Sequence, residues 1–60
     1  MNTLMDKQVD IEFRINALQC EYEEYKIMYS KKLITAKEWI VVSRQITLEI
    51  VELTAEFMNA

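Results

Sequence analysis

Neither glycine nor proline occurs in this chain of 60 residues, histidine is absent, and cysteine appears once, at position 20. Each absence removes a class of answer. Without glycine or proline, little punctuates the chain, and most of it reads as helix. A single cysteine cannot close a disulfide within the chain. With no histidine and one thiol, the ligands for a zinc site are missing, and so is the Glu-x-x-His element of di-metal helical bundles. Long apolar runs are absent too. The longest, Trp39 to Val42, is broken by Ser43 and Arg44, so no membrane span is expected. The first residues show no basic segment followed by an apolar core, so no export signal is expected either. That expectation and a free cysteine fit a reducing, cytoplasmic setting.

What is present is apolar surface. Hydrophobic residues make up 52% of the chain, too many for a disordered segment. Sixty residues make one domain at most. A chain this short buries a small share of its surface, so it needs a staple, a metal or a partner. With the first two removed, self-association or docking on another protein remains. The net charge of −3 argues against a dedicated nucleic-acid binder, whose affinity comes from neutralising phosphates.

The clearest local signal is LITAKEW, residues 33–39. Thr35 and Glu38 form the S/T-x-x-E capping box, in which each side chain satisfies the other residue's backbone N–H. Ile34 before the cap and Trp39 at the fourth helical position are placed as a hydrophobic staple. Lys31 and Lys32 fall where a preceding helix presents the negative end of its dipole. A weaker cap at Thr3 and Asp6 marks the start of that preceding helix. The expectation is a single domain over residues 1–60: a helix from about 4 to 32, a turn at 33–35, and a helix from about 36 to 58. Two helices joined this tightly form an antiparallel hairpin.

Side-chain spacing supports that arrangement. Ile11, Ile15, Leu18, Tyr22, Tyr25 and Tyr29 are spaced alternately four and three apart, which is a heptad seam. Trp39, Ser43, Ile46, Ile50, Leu53 and Phe57 repeat the same spacing. In an antiparallel hairpin, facing residues lie equally far from the turn. Each member of the first row has its counterpart in the second, symmetric about residue 34, inside the turn that the capping box places independently. Ser43 is the one polar member, and Val42 beside it can cover Tyr25. The predicted hairpin core is therefore these residues, with Ser43 as its polar gap.

Both helices carry more apolar surface than this seam uses. On the first, Val9, Phe13, Ala17, Cys20 and Ile27 form a stripe opposite the seam, with polar residues on either side. This explains the alternating stretch QVDIEFRIN, residues 8–16. Asp10 and Arg14 form a favourable i,i+4 pair. On the second helix, Ile40, Val41, Leu48, Val51, Ala55 and Met58 lie outside the seam. A solvated helix normally carries a single apolar arc. A second contact is implied, most simply a homodimer that packs two hairpins into a four-helix bundle. The predicted interface residues are Val9, Phe13, Cys20, Ile27, Ile40, Val41, Leu48, Val51 and Met58. Lys26, Lys31, Lys32 and Lys37 gather at the turn end, and Asp6, Asp10, Glu12, Glu49, Glu52 and Glu56 at the open end. An antiparallel dimer would set basic beside acidic.

A second fold fits part of the pattern. QVDIEFRI as a strand, Asn16 with Gln19 as a cap, and helices beginning near residues 17 and 35 resemble the ribbon-helix-helix family. The resemblance implies a dimer with paired strands in the major groove of DNA. Against it, the groove would meet Asp10 and Glu12, which phosphates repel. The family's glycine before the second helix is absent, and the second helix is too long.

No constellation for catalysis stands out. Glu21 with Glu24, and Glu49 with Glu52 and Glu56, are carboxylates at helical spacing and read as solvated faces. General acid–base chemistry needs a carboxyl perturbed in a pocket, for which two helices leave little room. Cys20 has no cationic sequence neighbour and reads as a small interface residue. Tyr22, Tyr25, Tyr29 and Trp39 read as core rather than as a binding patch, and the lysines near the turn as helix-end compensation. The expectation is an all-α, cytoplasmic homodimer with no cofactor and no enzymatic activity. It would bind an unidentified protein as a regulator, inhibitor or adaptor. The alternatives are a nucleic-acid-binding regulator and a structural subunit of a larger assembly.

Overall fold

The computed structural model of the chain describes residues 3–59, with side chains from residue 6. It contains two helices, α1 (Thr3–Ser30, 28 residues) and α2 (Ala36–Asn59, 24 residues), packed side by side as an antiparallel hairpin. The expected cap at Thr3 involves a side chain outside the described set. Among the described residues there is no strand.

Residues 8–16 lie wholly within α1, so the ribbon-helix-helix architecture is set aside. The physical reason is visible in burial. Ile11 is 5% exposed and Ile15 half-buried, while Val9 and Phe13 stand 50% and 75% exposed. A period of two in the sequence is here the sum of two helical stripes, each with its members four apart.

The seam between the helices is the core. Ile11, Ile46 and Leu53 are buried, and Ile15, Leu18, Tyr22, Tyr25, Trp39, Ser43, Ile50 and Phe57 are half-buried. Ser43 leaves no unmet polar atom in the seam, because its hydroxyl donates to the Ile40 carbonyl at 3.2 Å. Tyr29 differs from its expected place. It is 40% exposed, and its ring stacks on Trp39 at 5.7 Å with an interplanar angle of 8°. Tyr22 meets the same indole at 5.2 Å, tilted by 56°. Trp39 thus sits between two tyrosines, an arrangement that adds to simple area burial. Met28, adjacent to Tyr29, is the half-buried residue at the end of α1. A straight helix drifts against a seven-residue repeat, and α1 ends before the drift is corrected.

The turn is built from two interlocked caps. α1 stops at Ser30, two residues short of the expected end. Lys32 adopts the left-handed conformation at φ 62°. Its N–H donates to the Tyr29 carbonyl at 3.0 Å, and the Leu33 N–H donates to the Met28 carbonyl at 2.9 Å. This pair of bonds is the Schellman motif, usually completed by glycine. A side chain at that φ costs about 1–2 kcal/mol, offset here by two satisfied helix-end carbonyls. α2 then begins with the capping box. The Thr35 N–H donates to the Glu38 carboxylate at 3.1 Å, and the Glu38 N–H donates to the Thr35 hydroxyl at 3.1 Å. The same hydroxyl donates to that carboxylate at 3.0 Å. These bonds, the backbone one foremost, hold the Glu38 carboxyl below its ordinary pKa of 4.5. The first helical bond, from the Trp39 N–H to the Thr35 carbonyl at 3.0 Å, fixes Thr35 as the N-cap.

Candidate docking surfaces

Two helices make a single layer, with Cα extents of 47 × 15 × 10 Å. A layer one helix thick has no interior, so most side chains keep an open side. The surface accessible to water is 4987 Å². A compact monomer of 7.2 kDa would expose about 4,100 Å². Ten large apolar side chains stand exposed among the described residues.

All the residues nominated as interface lie exposed. On α1 these are Val9, Phe13, Cys20 and Ile27, with Phe13 more exposed than Val9 or Ile27. They form the outer edge of α1, away from α2. On α2, Val41, Leu48, Val51 and Met58 are 49%, 56%, 59% and 78% exposed. With Arg44 and Ala55, also exposed, they form a row spaced three, four, three, four, three along the helix. Ile40, 56% exposed, flanks this row on the side nearer α1. Leu33, 68% exposed in the turn, was not nominated. Its position after the left-handed residue normally carries a hydrophobic contact back to the helix, and turn residues give no periodic signal by which sequence could find it.

The two broad faces of the layer differ in chemistry. Arg14 of α1 lies 3.9 Å from Glu49 of α2, reaching across the seam rather than back to Asp10. Both side chains are largely solvated, so the pair contributes at most about 0–1 kcal/mol. It marks one face, where Glu21, Glu49 and Glu52 rim a shallow groove of about 430 Å³ that is also lined by Leu18, Val42 and Ile46. That face is acidic. On the opposite face a groove of about 550 Å³ is lined by Gln19, Tyr22, Glu23, Thr47, Ile50 and Val51. Its α1 wall is polar and its α2 wall is uncharged. A neighbouring groove lined by Tyr22, Ile40, Ser43, Arg44, Thr47 and Leu48 continues this surface towards the turn, with Arg44 its one charged member.

Other nominated features stay apart. Lys26, Lys31, Lys32 and Lys37 are exposed around the turn end. Among the described residues, no group of three His, Cys, Asp or Glu side chains is placed to hold a metal ion. Among the same residues, no helix is long and apolar enough to cross a membrane. Compared with protein-family models, curated proteins and solved structures, the chain matches none of them.

Proposed function

We propose that this hairpin is a non-enzymatic protein-binding module, a regulator, inhibitor or adaptor that works as a homodimer. The observation that carries this reading is the uncovered row on α2, from Val41 to Met58, which spans about 26 Å at the helical rise. A contiguous exposed apolar patch of this kind marks an interaction surface. A second copy of the hairpin packed against α2 covers it. The outer edge of α1, with Phe13 at its centre and Asp10, Glu12, Glu23 and Glu24 beside it, is left for a second protein. The acidic balance favours a partner with a basic, partly apolar surface.

Light scattering across a concentration series tests the self-association. The expected result is a dimer for the natural chain. Leu48→Glu should be monomeric with its helix content intact, because the charge falls on the outer row and not in the seam. A natural chain that stays monomeric at all concentrations overturns the homodimer. Gel shifts with generic DNA and RNA test the other side. Binding that weakens steeply with added salt would replace the protein-binding reading with a nucleic-acid one.

A further inference from the structure

We infer that α2 pairs with α2 of a second copy in antiparallel orientation, about a two-fold axis that passes between Leu48 and Val51. This rests on the homodimer reading above and adds its geometry.

A two-fold contact must be self-complementary, since the same patch serves on both sides. The row Val41, Arg44, Leu48, Val51, Ala55, Met58 satisfies that condition in three ways. Its spacing is the same read from either end, so a reversed copy falls into register along the whole row, as in an antiparallel coiled coil. In that register Leu48 meets the partner's Val51, and Val41 meets the partner's Met58. All four are about half exposed or more. The remaining pair matches the one charged member of the row with its smallest. Arg44 lies over the partner's Ala55, where the missing bulk leaves room for a long side chain. Glu52 and Glu56, on either side of Ala55 along the chain, bring carboxylates within reach of that guanidinium. A parallel pairing instead sets Arg44 against Arg44, a like-charge contact in the middle of an apolar row.

The polar wall on α1 explains why the contact runs along α2 alone. Packing the two hairpins face to face through the side that carries Thr47 and Ile50 would cover Glu12, Asn16, Gln19 and Glu23, all of them α1 residues exposed to solvent. Burying such groups without partners is costly. Pairing along α2 avoids this, places the two α1 helices outside, and leaves Phe13 and Cys20 at the outer edges. Charge along the axis agrees. Lys31, Lys32 and Lys37 of one copy lie towards the open end of the other, which carries Glu52 and Glu56.

Two measurements test the register on the full chain with Cys20→Ser. The first is the distance between spin labels at Asn59→Cys, at the end of α2 and clear of the proposed contact. In the antiparallel register each label lies level with Ile40 of the other copy, nineteen residues away, so the label distance is about 30 Å. A distance of about 10 Å shows a parallel pair and overturns the register while leaving the dimer standing. The second is a charge exchange. Arg44→Glu should weaken dimerisation by about tenfold, since the pair occurs twice in the dimer. Adding Glu52→Lys and Glu56→Lys should restore it. A weakening that the added lysines deepen overturns the pairing of Arg44 with those carboxylates. A chain that gives no dimer signal in either experiment overturns the homodimer and the register together.

Discussion

Helix α2 carries two rows with the same alternating spacing and similar residue types, one against α1 and one against water. The inner row runs from Trp39 through Ile46 and Leu53 to Phe57, with Ile46 and Leu53 each 7% exposed. The outer row runs from Val41 through Leu48 and Val51 to Met58, none of them less than 49% exposed. Hydropathy does not separate them. What separates them is the turn, whose geometry brings α1 to one side of α2 and leaves the other bare. Each row also carries one polar member, handled differently. Ser43 satisfies itself on the backbone of its own helix. Arg44 stands exposed to water, its guanidinium a set of donors with no acceptor of its own.

The largest expected effect lies in the inner row. Ile46→Ala should cost about 2–5 kcal/mol, read as a shift in the urea midpoint. If the loss is below about 1 kcal/mol, the seam is misplaced. The matching outer change, Leu48→Ala, should cost within about 0.5 kcal/mol at concentrations where the chain is monomeric. Its effect should grow with concentration as dimerisation contributes to stability. Equal costs for the two changes at low concentration would erase the distinction between the rows.

The turn, which decides which row is inner, gives smaller effects of both signs. Thr35→Ala should lose about 1 kcal/mol by removing the N-cap. Lys32→Gly should gain about 1 kcal/mol by relieving the left-handed side chain. A loss from the glycine change would mean that the φ of 62° is not a cost in this fold. The smallest effect is on pH. Glu38 has a lowered folded pKa, so its contribution is present above the ordinary carboxylate value of 4.5 and is lost as pH falls from there through the lowered folded value. Thermal melts from pH 6 to pH 3 should show a shallow decline in stability that Glu38→Gln flattens. An identical decline in both chains would place the acid sensitivity elsewhere.

Much of this architecture was legible because the signals are local or periodic. The capping box sets two residue types at fixed spacing, and its hydrogen bonds form within one turn of helix. The seam announces itself through repeats that a helix turns into faces. Other features were not legible. Lys32 in the left-handed region carries no mark in its side chain, since its conformation is imposed by the chain reversal. Arg14 had two carboxylates in reach, one a helical turn away on α1 and one across the seam. Only the separation of the helices selects Glu49. Tyr29 belongs to the row by spacing, yet the helix ends one residue later, and it covers Trp39 from the outside.

The order of the chain thus determined by itself that there are two helices, where they are joined, and that each has more apolar surface than one partner helix can cover. These follow from hydrogen bonds within a few residues and from the helical repeat, which need no knowledge of the rest of the molecule. Only the tertiary structure decided that Lys32 takes the left-handed conformation, that Arg14 reaches Glu49 across the seam, and that Tyr29 stands outside it against Trp39. Those depend on the direction in which the turn lays α1 against α2, a property of the pair that neither helix carries alone.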